Sequence, residues 1–328
     1  MFKRVKILLI VVLCALVLCG CSAAPKRYSA VYPDVFDTLT EFTAYCSSQE
    51  EFDRISGAVH AELFRLHEIF DIYTDYGFSN VKALNESAGS PVEMHDEVIE
   101  LIGNAKTWHQ KTAGKLNIAL GRVLSVWHDC RENEVLPDYE TLLSRSKHCD
   151  IEKIFVDGSY VTLLDPEMSL DFGALAKGYA AERAAEAAVS EGAESFALSV
   201  GGNVVTYGKK PSGKWEIGIE NPDGGLLTTV KVAGECVVTS GDYQRYFEVG
   251  GVRYHHIIDP DTLYPAALWR SVTVICNSSA DADALSTALF CMDYESGAAL
   301  AKEYGAEVMW VAANSEITRS EGFKDYER

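Results

Sequence analysis

The chain has 328 residues, of which 48% are hydrophobic and 23% are charged, and this composition indicates a folded globular protein with a large core. Its net charge of −19 argues against a nucleic-acid partner, because binding nucleic acid depends on phosphate neutralisation by Lys and Arg. A compact anionic ligand would therefore need local help from a metal ion or from backbone amides.

The first 21 residues are typical of an export signal. Basic residues precede an apolar run from Ile7 to Leu18, which is short for a membrane-spanning helix. Leu18-Cys19-Gly20-Cys21 resembles a bacterial lipobox, so we expect lipidation at Cys21 and a lipid-anchored protein on the extracytoplasmic side of a bacterial cell membrane. A plain secretory signal is the alternative interpretation, since a cysteine at position 19 is unusual in such a box.

Beyond the signal, residues 22–35 are interpreted as a polar tether and residues 36–328 as one folded domain. Apolar residues at spacings of three and four predict a helix that contains Ile55 to Phe70. A second helix is predicted with Asp96 as its cap, and a third after Pro137-Asp138. The first half of the domain is therefore predicted to be mainly helical.

From about residue 151 the sequence favours strands. Asp157-Gly158 lies between two alternating runs, which predicts a β-hairpin. Helices are predicted after Gly173, around 280–291 and at 294–304. The strand-like runs are 195–200, 214–220, 228–239, 245–258, 271–276 and 306–312. Strands joined by short turns, with the helices set apart, indicate an α+β fold with largely antiparallel sheet.

Two glycine-containing stretches are candidate ligand sites. In "SLDFGALAKG" a strand is predicted to end at Asp171 and a helix to begin near Ala176, so the backbone groups between them would be free to bind ions. Lys177 lies in the first helical turn, where a phosphate or a carboxylate would compensate its charge. An ordinary strand–turn–helix corner explains the same pattern. Gly201 and Gly202 interrupt a strand-like run, which would let a ligand approach the main chain, and a β-bulge explains them equally well.

The stretch "SSADADALSTALF" contains a candidate metal site. On a helix, Asp283 and Thr287 are one turn apart and face the same way. Carboxylate and hydroxyl oxygens suit Mg²⁺, which takes few protein ligands and completes its shell with water and substrate phosphates. A helix capped by Asp281, with Thr287 bonded back to its own helix, is the competing interpretation.

Adjacent histidines occur in "RYHHIIDP". Gly250-Gly251 predicts a hairpin that pairs Tyr246–Val249 with Val252–Ile258. In that register His255 and His256 point to opposite faces, which disfavours one zinc ion bound by both. One histidine facing a cleft would suit a general base near neutral pH, whereas a strand histidine bonded to a neighbour is the structural alternative.

Six cysteines follow Cys21. Because no two lie at metal-binding or redox-motif spacing, they are interpreted first as small buried hydrophobic residues. An even number in an exported protein allows disulfides, and the spacing leaves their pairing open. They are Cys46, Cys130, Cys149, Cys236, Cys276 and Cys291.

Taken together and in this order, these stretches resemble the ApbE family, the FAD:protein FMN transferases. The resemblance extends from about Phe36 to about residue 312, and a lipoprotein signal also fits the family. The matching words are "FDTLTEFTAY" at 36–45, "LDFGALAKGYAAE" at 170–182, "SVGGNVVTYG" with "KWEIGIENP" at 199–222, "TSGDYQRYFEVGGVRYHHIIDPDTLYP" at 239–265 and "ADALSTAL" at 282–289. The implied fold is an α+β sheet with helices packed on it, in two closely packed lobes.

The resemblance implies Mg²⁺-dependent transfer of the FMN half of FAD to a Thr or Ser hydroxyl of an exported acceptor, with release of AMP. The implied metal ligands are Asp283, Thr287 and the carbonyl of Ala174, and the implied catalytic base is His256, with no role for His255. The acceptor is expected to be a domain of a membrane redox complex. Positions expected to contact FAD are Leu39, Tyr73, Asp171, Lys177, Gly201, Gly202, Ser240, Gly241, Asp242 and Ile257.

Two departures from the family pattern, and two alternative functions, accompany this resemblance. Residues 114–129 differ from the Gly-Ala-Phe-Asp pattern of many members, and Leu263 stands where Gly is common. Attack by water would instead give FAD hydrolysis to FMN and AMP. A non-catalytic flavin-binding or solute-binding lipoprotein is the third interpretation, although mere binding does not need His256 together with Asp283 and Thr287.

Overall fold

The computed structural model describes residues 24–327. The predicted export signal and the lipidation site at Cys21 lie outside these residues. Among the helices within them, none combines the length and the apolar composition that crossing a membrane requires.

The centre of the fold is one eight-stranded antiparallel sheet with the strand order β1-β2-β6-β7-β10-β13-β14-β15. Three smaller antiparallel groups accompany it: the β8–β9 and β11–β12 hairpins and a three-stranded β3-β5-β4 sheet. The strands are β1 (Lys26–Val35), β2 (Thr38–Cys46), β3 (Val92–Glu93), β4 (Ile154–Asp157), β5 (Tyr160–Leu163), β6 (Phe196–Val200), β7 (Asn203–Tyr207), β8 (Trp215–Glu220), β9 (Leu226–Val232), β10 (Cys236–Gly241), β11 (Tyr246–Val249), β12 (Val252–His255), β13 (Trp269–Cys276), β14 (Glu307–Ala312) and β15 (Ile317–Arg319).

The helices of the described chain flank this sheet. They are α1 (Gln49–Phe70), α2 (Val81–Asn85), α3 (Asp96–Lys111), α4 (Gly121–Asn133), α5 (Tyr139–Ser146), α6 (Ala176–Ser190), α7 (Ser279–Phe290), α8 (Tyr294–Glu303) and α9 (Phe323–Tyr326). Antiparallel strands with helices set apart confirm the predicted α+β class.

The two faces of the central sheet are covered by different elements. Alternation along β10 and β13 sends Val238 and Val274 into the main core, where α6 packs between α1 and α7. Val237 and Ile275 point the other way, into a smaller cluster with the β8–β9 hairpin and α9. Both faces of the central strands are therefore buried.

A third apolar cluster fixes the hairpin that carries the two histidines. Trp127 of α4 packs against Phe247 and Tyr254 of the β11–β12 hairpin, and its indole Nε1–H donates to the carbonyl of Leu263 at 2.9 Å. Leu142 of α5 is buried in the same cluster. This packing holds the end of the hairpin next to α4.

The structure differs from the sequence prediction at the N-terminal end, where residues 26–35 form β1 instead of a tether. Alternate side chains of this strand face α1: the Tyr28 ring stacks on Phe52, and the Tyr32 hydroxyl donates to the carbonyl of Ser56 at 2.9 Å. Pro33 fits here because β1 is an edge strand, which leaves one side without a ladder. The strand was missed because four of its residues are polar or charged, Lys26, Arg27, Ser29 and Asp34, and because Pro33 interrupts it.

Several predicted boundaries are also wrong. His95, not Asp96, is the N-cap of α3, and no side chain caps that helix. The run 228–239 divides into β9 and β10. Instead of a strand that ends at Asp171, residues 164–175 are irregular, with the Asp171 amide bonded to the carbonyl of Ile118. Helix α4 was missed because it begins with glycine, which is a poor helix former. Glycine is needed there because a Cβ atom at Gly121 would lie 2.6 Å from the carbonyl oxygen of Ser169.

The predicted hairpin pairs Tyr246–Val249 with Val252–His255, so its second strand ends three residues before the predicted Ile258. Other predicted elements are confirmed. The first helix contains Ile55 to Phe70, Asp138 caps α5, and β4 and β5 form the predicted hairpin. Helices α6, α7 and α8 lie where the sequence places them.

Helices α6 and α7 touch at Gly178. A Cβ atom at this position would overlap the Cβ of Asp283 and the carbonyl oxygen of Ser279. Only glycine lets the two helices lie this close, and the contact brings the Gly178 amide to the carboxylate of Asp283.

We expect Gly178→Ala to lower the free energy of unfolding by about 1–3 kcal/mol, because overpacking outweighs the better helix propensity of alanine. Gly57→Ala is the matched control, since Gly57 lies in α1 with no atom near its Cβ position. This control should stabilise the protein by about 0.5–1 kcal/mol. Urea unfolding of both variants measures the difference, and equal stabilisation would show that α6 and α7 do not touch at Gly178.

Candidate active site

A cleft of about 510 Å³ opens between α4, α6, α7 and the β11–β12 hairpin. The turn before β2, the end of α1 and the last residues of β10 complete its walls. Eleven of the residues singled out from the sequence line this cleft, although the sequence separates them by up to 214 positions. They are Tyr73, Asp171, Ala174, Lys177, Gly201, Ser240, Gly241, His256, Ile257, Asp283 and Thr287.

Three residues that were predicted to contact the dinucleotide are not among those that line the cleft. Strand alternation places Leu39 between Thr38 and Thr40, so its side chain is 57% exposed on the other side of β2. Asp242 pairs instead with Arg253 and Arg270. Gly202 is the second residue of a turn and presents no side chain.

Gly201 and Gly202 form the two-residue turn between β6 and β7, which corrects the interpretation as a bulge in a strand. Both have positive φ, +54° and +93°, which glycine adopts without strain. A Cβ atom at Gly201 would overlap the side chain of Thr38. The turn therefore lies tightly against the start of β2, where both segments border the cleft.

The carboxylate of Asp283 is held at the contact between α6 and α7. It is 2% exposed, its Oδ2 accepts the Gly178 N–H at 2.8 Å, and its Oδ1 lies 3.6 Å from the Lys177 ammonium. Burial raises the pKa of this carboxyl, whereas Lys177 and the Gly178 amide oppose the rise. A buried carboxylate with only partial compensation is suited to a cation.

The carbonyl of Ala174 is left free by the same contact. In a regular helix the amide of residue 178 would bond the carbonyl of residue 174, but here that amide donates to Asp283. Within residues 24–327 no hydrogen bond reaches the Ala174 oxygen. Backbone carbonyls of this kind are hard oxygen ligands.

Thr287 lies one turn after Asp283 on α7, as predicted. Its hydroxyl is 3.4 Å from that of Ser240, which lies 2.9 Å from the hydroxyl of Ser286. Ser278, not Asp281, is the N-cap of α7, so the competing interpretation of Asp281 as a cap is wrong. Ala174, Asp283 and Thr287 thus offer a carbonyl, a carboxylate and a hydroxyl, a donor set that fits Mg²⁺.

In the part of the chain that the structure describes, no group of three or more His, Cys, Asp or Glu side chains could hold a metal ion. The oxygen set around Asp283 is of another kind, since it contains one carboxylate.

His255 and His256 have different environments. His255 is buried, with Nε2 2.8 Å from the carbonyl of Ala266 and Nδ1 accepting the Ile257 N–H at 3.2 Å. It therefore fixes the chain after β12. His256 follows the end of the strand and lines the cleft, and its Nδ1 is buried without a hydrogen-bond partner.

Burial, together with the positive charges of Lys177 and Arg245, lowers the pKa of His256 to about 3. The imidazole is consequently neutral near pH 7 and able to accept a proton. An anion bound between the two cations would offset their charges and raise the basicity of the ring.

Sequence reasoning missed three cleft residues. The Arg245 guanidinium donates to the carbonyls of Phe36 and Asp37, which form a turn with positive φ between β1 and β2. His128 lies 2.9 Å from the Tyr73 hydroxyl, and Arg131 lies nearby on the same helix. Residues three positions apart lie on one face of a helix, so the spacing of His128 and Arg131 could have indicated that they act together. The sequence did not predict α4, and this signal was therefore missed.

Comparison with known proteins agrees with this architecture, since the model of the ApbE family matches residues 36–310. The chain belongs to the ApbE family. A FAD:protein FMN transferase of Treponema pallidum is 31% identical over 97% of this chain and 93% of that protein. One from Klebsiella pneumoniae is 34% identical over 74% of this chain and 78% of that protein.

Solved structures of ApbE proteins share the fold. The ApbE protein of Thermotoga maritima is 33% identical, with a TM-score of 0.85 that covers 92% of this chain and all of that one. The flavinyl transferase ApbE of Pseudomonas stutzeri, in its apo form, is 28% identical with a TM-score of 0.80 and covers 93% and 98%. The family resemblance drawn from the sequence is thereby confirmed.

Leu263 is a point at which this ApbE chain departs from the pattern expected for the family. It has φ +63°, in the left-handed region that favours glycine, while its side chain is buried beside Trp127. The turn after Asp259 therefore keeps a glycine-like conformation, and apolar packing offsets the strain of about 1 kcal/mol.

We expect His255→Ala to lower the free energy of unfolding by about 2–4 kcal/mol, because it leaves a buried amide and a buried carbonyl without partners. His256→Ala should cost about 1 kcal/mol or less, since no hydrogen bond to its ring is lost. Chemical denaturation of both variants tests the division of roles, which a larger loss for His256→Ala would contradict.

The depressed pKa of His256 also predicts a pH dependence. Between the folded value of about 3 and the unfolded value of about 6.5, the unfolded chain binds the proton and the folded chain does not, so falling pH lowers stability. From pH 7 to pH 5 the wild-type protein should lose roughly 1–2 kcal/mol more than His256→Ala. Denaturation at both pH values measures the two losses, and equal losses would mean that His256 titrates normally.

Proposed function

We propose that the protein transfers the FMN moiety of FAD to a Thr or Ser hydroxyl of an exported acceptor protein, in a Mg²⁺-dependent reaction that releases AMP. The observation that carries the proposal is one cleft that joins His256 to the oxygen set of Ala174, Asp283 and Thr287. Membership of the ApbE family supports it, because the relatives compared above are named FAD:protein FMN transferases.

In this proposal Ala174, Asp283 and Thr287 would hold Mg²⁺, which would supply positive charge to the diphosphate of FAD. The charge of Lys177 opposes the rise in the pKa of Asp283 that burial causes. The Gly178 amide orients the second carboxylate oxygen by its hydrogen bond. These contacts let a chain with a net charge of −19 bind an anionic substrate locally.

His256 serves as the general base. The acceptor hydroxyl gives its proton to the imidazole as its oxygen bonds to the FMN phosphorus, and the phosphorus–oxygen bond to AMP breaks. The neutral state of His256 and its position in the wall of the cleft are what this step requires. Lys177, Arg131 and Arg245 place positive charge around the cleft, where negative charge increases in the transition state.

The location of the protein belongs to the same proposal. Lipidation at Cys21 would anchor the domain on the extracytoplasmic side of the membrane. The acceptor is then an exported domain, which we propose is part of a membrane redox complex.

The decisive test uses purified residues 22–328 with FAD, Mg²⁺ and an exported FMN-accepting domain. We expect the acceptor to become covalently fluorescent, and the label to remain after denaturation. The same incubation with EDTA should leave it unlabelled. Labelling that persists without divalent cation would overturn the metal role.

A parallel incubation without acceptor separates transfer from hydrolysis. A transferase should release little AMP in that tube, whereas a FAD hydrolase releases AMP and FMN at the full rate. FAD that stays intact in both tubes would favour a binding protein.

Two substitutions separate the roles of base and metal. His256→Ala should reduce transfer by at least about 100-fold yet keep FAD binding, because the base acts in the chemical step. Asp283→Ala should reduce both, since the metal also holds the diphosphate. Asp281→Ala is the matched control on α7, as Asp281 does not line the cleft. Undiminished transfer by His256→Ala would remove this residue as the base.

A further inference from the structure

Cys236 and Cys276 lie directly opposite each other in the central sheet. Cys236 is the first residue of β10 and Cys276 the last of β13, and the antiparallel register pairs the two. Residues in register in an antiparallel pair have Cα atoms about 4.5–5.5 Å apart. That range falls inside the Cα separation of about 4.4–6.8 Å that disulfides span.

Both side chains point to the same side of the sheet, the side covered by the helices, because paired residues share a face. Their sulfur atoms also contact adjacent carbonyls of one turn. The Cys276 Sγ lies 3.2 Å from the oxygen of Ser278, and the Cys236 Sγ lies 3.9 Å from that of Asn277. The two thiols therefore meet at the same short segment.

Another strand cysteine shows what is special about this pair. Cys46 is buried on β2 like the other two, but the residue opposite it is Lys26. Cys46 therefore has no thiol opposite it in its strand pair, unlike Cys236 and Cys276.

We propose that Cys236 and Cys276 form a disulfide site. Each thiol loses a proton and together they give up two electrons, which reduce the disulfide of an external oxidant to two thiols as the new S–S bond forms. The oxidant is a disulfide-form thiol reagent or oxidoreductase, the chemical class found in the oxidising compartments to which exported proteins are sent.

The bond forms while the sheet is still assembling. In the folded protein both thiols are almost fully buried, at 3% and 7% exposure. Burial raises the pKa of Cys276 to about 11 and that of Cys236 further, so the thiolate that exchange requires is scarce. The folded dithiol is thus slow to oxidise, and the folded disulfide is equally shielded from reductants.

The crosslink would connect β10 with the segment that leads into α7, and both elements contribute residues to the candidate active site. Strand β10 continues from Cys236 to Ser240 and Gly241, which line the cleft. Cys276 is followed by Ser278, the N-cap of α7, and hence by Asp283 and Thr287. A covalent bond at the base of both elements limits their separation without entering the cleft.

The experiment refolds the denatured, fully reduced chain of residues 22–328 with oxidised and reduced glutathione. Non-reducing digestion followed by mass spectrometry should find a peptide that links Cys236 to Cys276. Free thiols at both positions, or bonds from either to another cysteine, would overturn the proposal.

Thermal unfolding gives a second measurement that does not depend on the variants being equally stable. The melting temperature of the oxidised protein should exceed that of the reduced protein by about 5 °C, because the bond closes a long loop. This difference should vanish in Cys236→Ala and Cys276→Ala and persist in Cys46→Ala, the matched buried control. A difference that survives Cys236→Ala would also reject the site. Neither result depends on flavin transfer, so the proposed function is tested separately.

Discussion

The hydrogen bond from the Gly178 amide to the Asp283 carboxylate joins the two helices on which the candidate active site depends. It needs a helix with no side chain at position 178, since any Cβ there would meet α7. The bond orients one carboxylate oxygen and diverts an amide from the Ala174 carbonyl. Two of the three proposed metal ligands therefore owe their arrangement to one glycine.

The β11–β12 hairpin and the residue that follows it supply two neighbouring histidines, one with a structural role and one that is the candidate base. His255 satisfies buried backbone groups on both sides of the chain and has no free nitrogen for a substrate. His256, one residue later, follows the last residue of β12 and lines the cleft, and its Nδ1 is buried without a hydrogen-bond partner. Because the hydrogen bonds of His255 fix this part of the chain, they also fix the position of the His256 ring. A general base needs a fixed position in order to reach a hydroxyl at hydrogen-bonding distance.

Periodicity and cap residues were sufficient to predict the helices that carry the metal and anion positions, α6 and α7, and the hairpin with the histidines. They were insufficient for β1 and α4. The polar face of β1 resembles a tether unless its pairing with β2 is known, and α4 begins at a glycine required by a contact 48 residues away. His128 and Arg131 were missed for that reason, since tertiary packing, not local pattern, makes their segment a helix.

The individual cleft residues show the same limit. Asp283 and Thr287 could be placed on one face from their spacing alone, because a helix has a fixed repeat. The positions of Leu39 and Asp242 outside the cleft lining could not be predicted, because their orientation depends on strand register and on ion pairs with distant arginines.

Strand β1 has a geometric consequence for an anchored protein. Its first residue, Lys26, is only five positions beyond Cys21, and five residues of fully extended chain span at most about 18 Å. A lipid on Cys21 would thus keep the Lys26 end of β1 close to the bilayer, whereas the cleft borders the opposite end of this ten-residue strand, at Phe36 to Thr38, and would face an acceptor farther from the membrane surface.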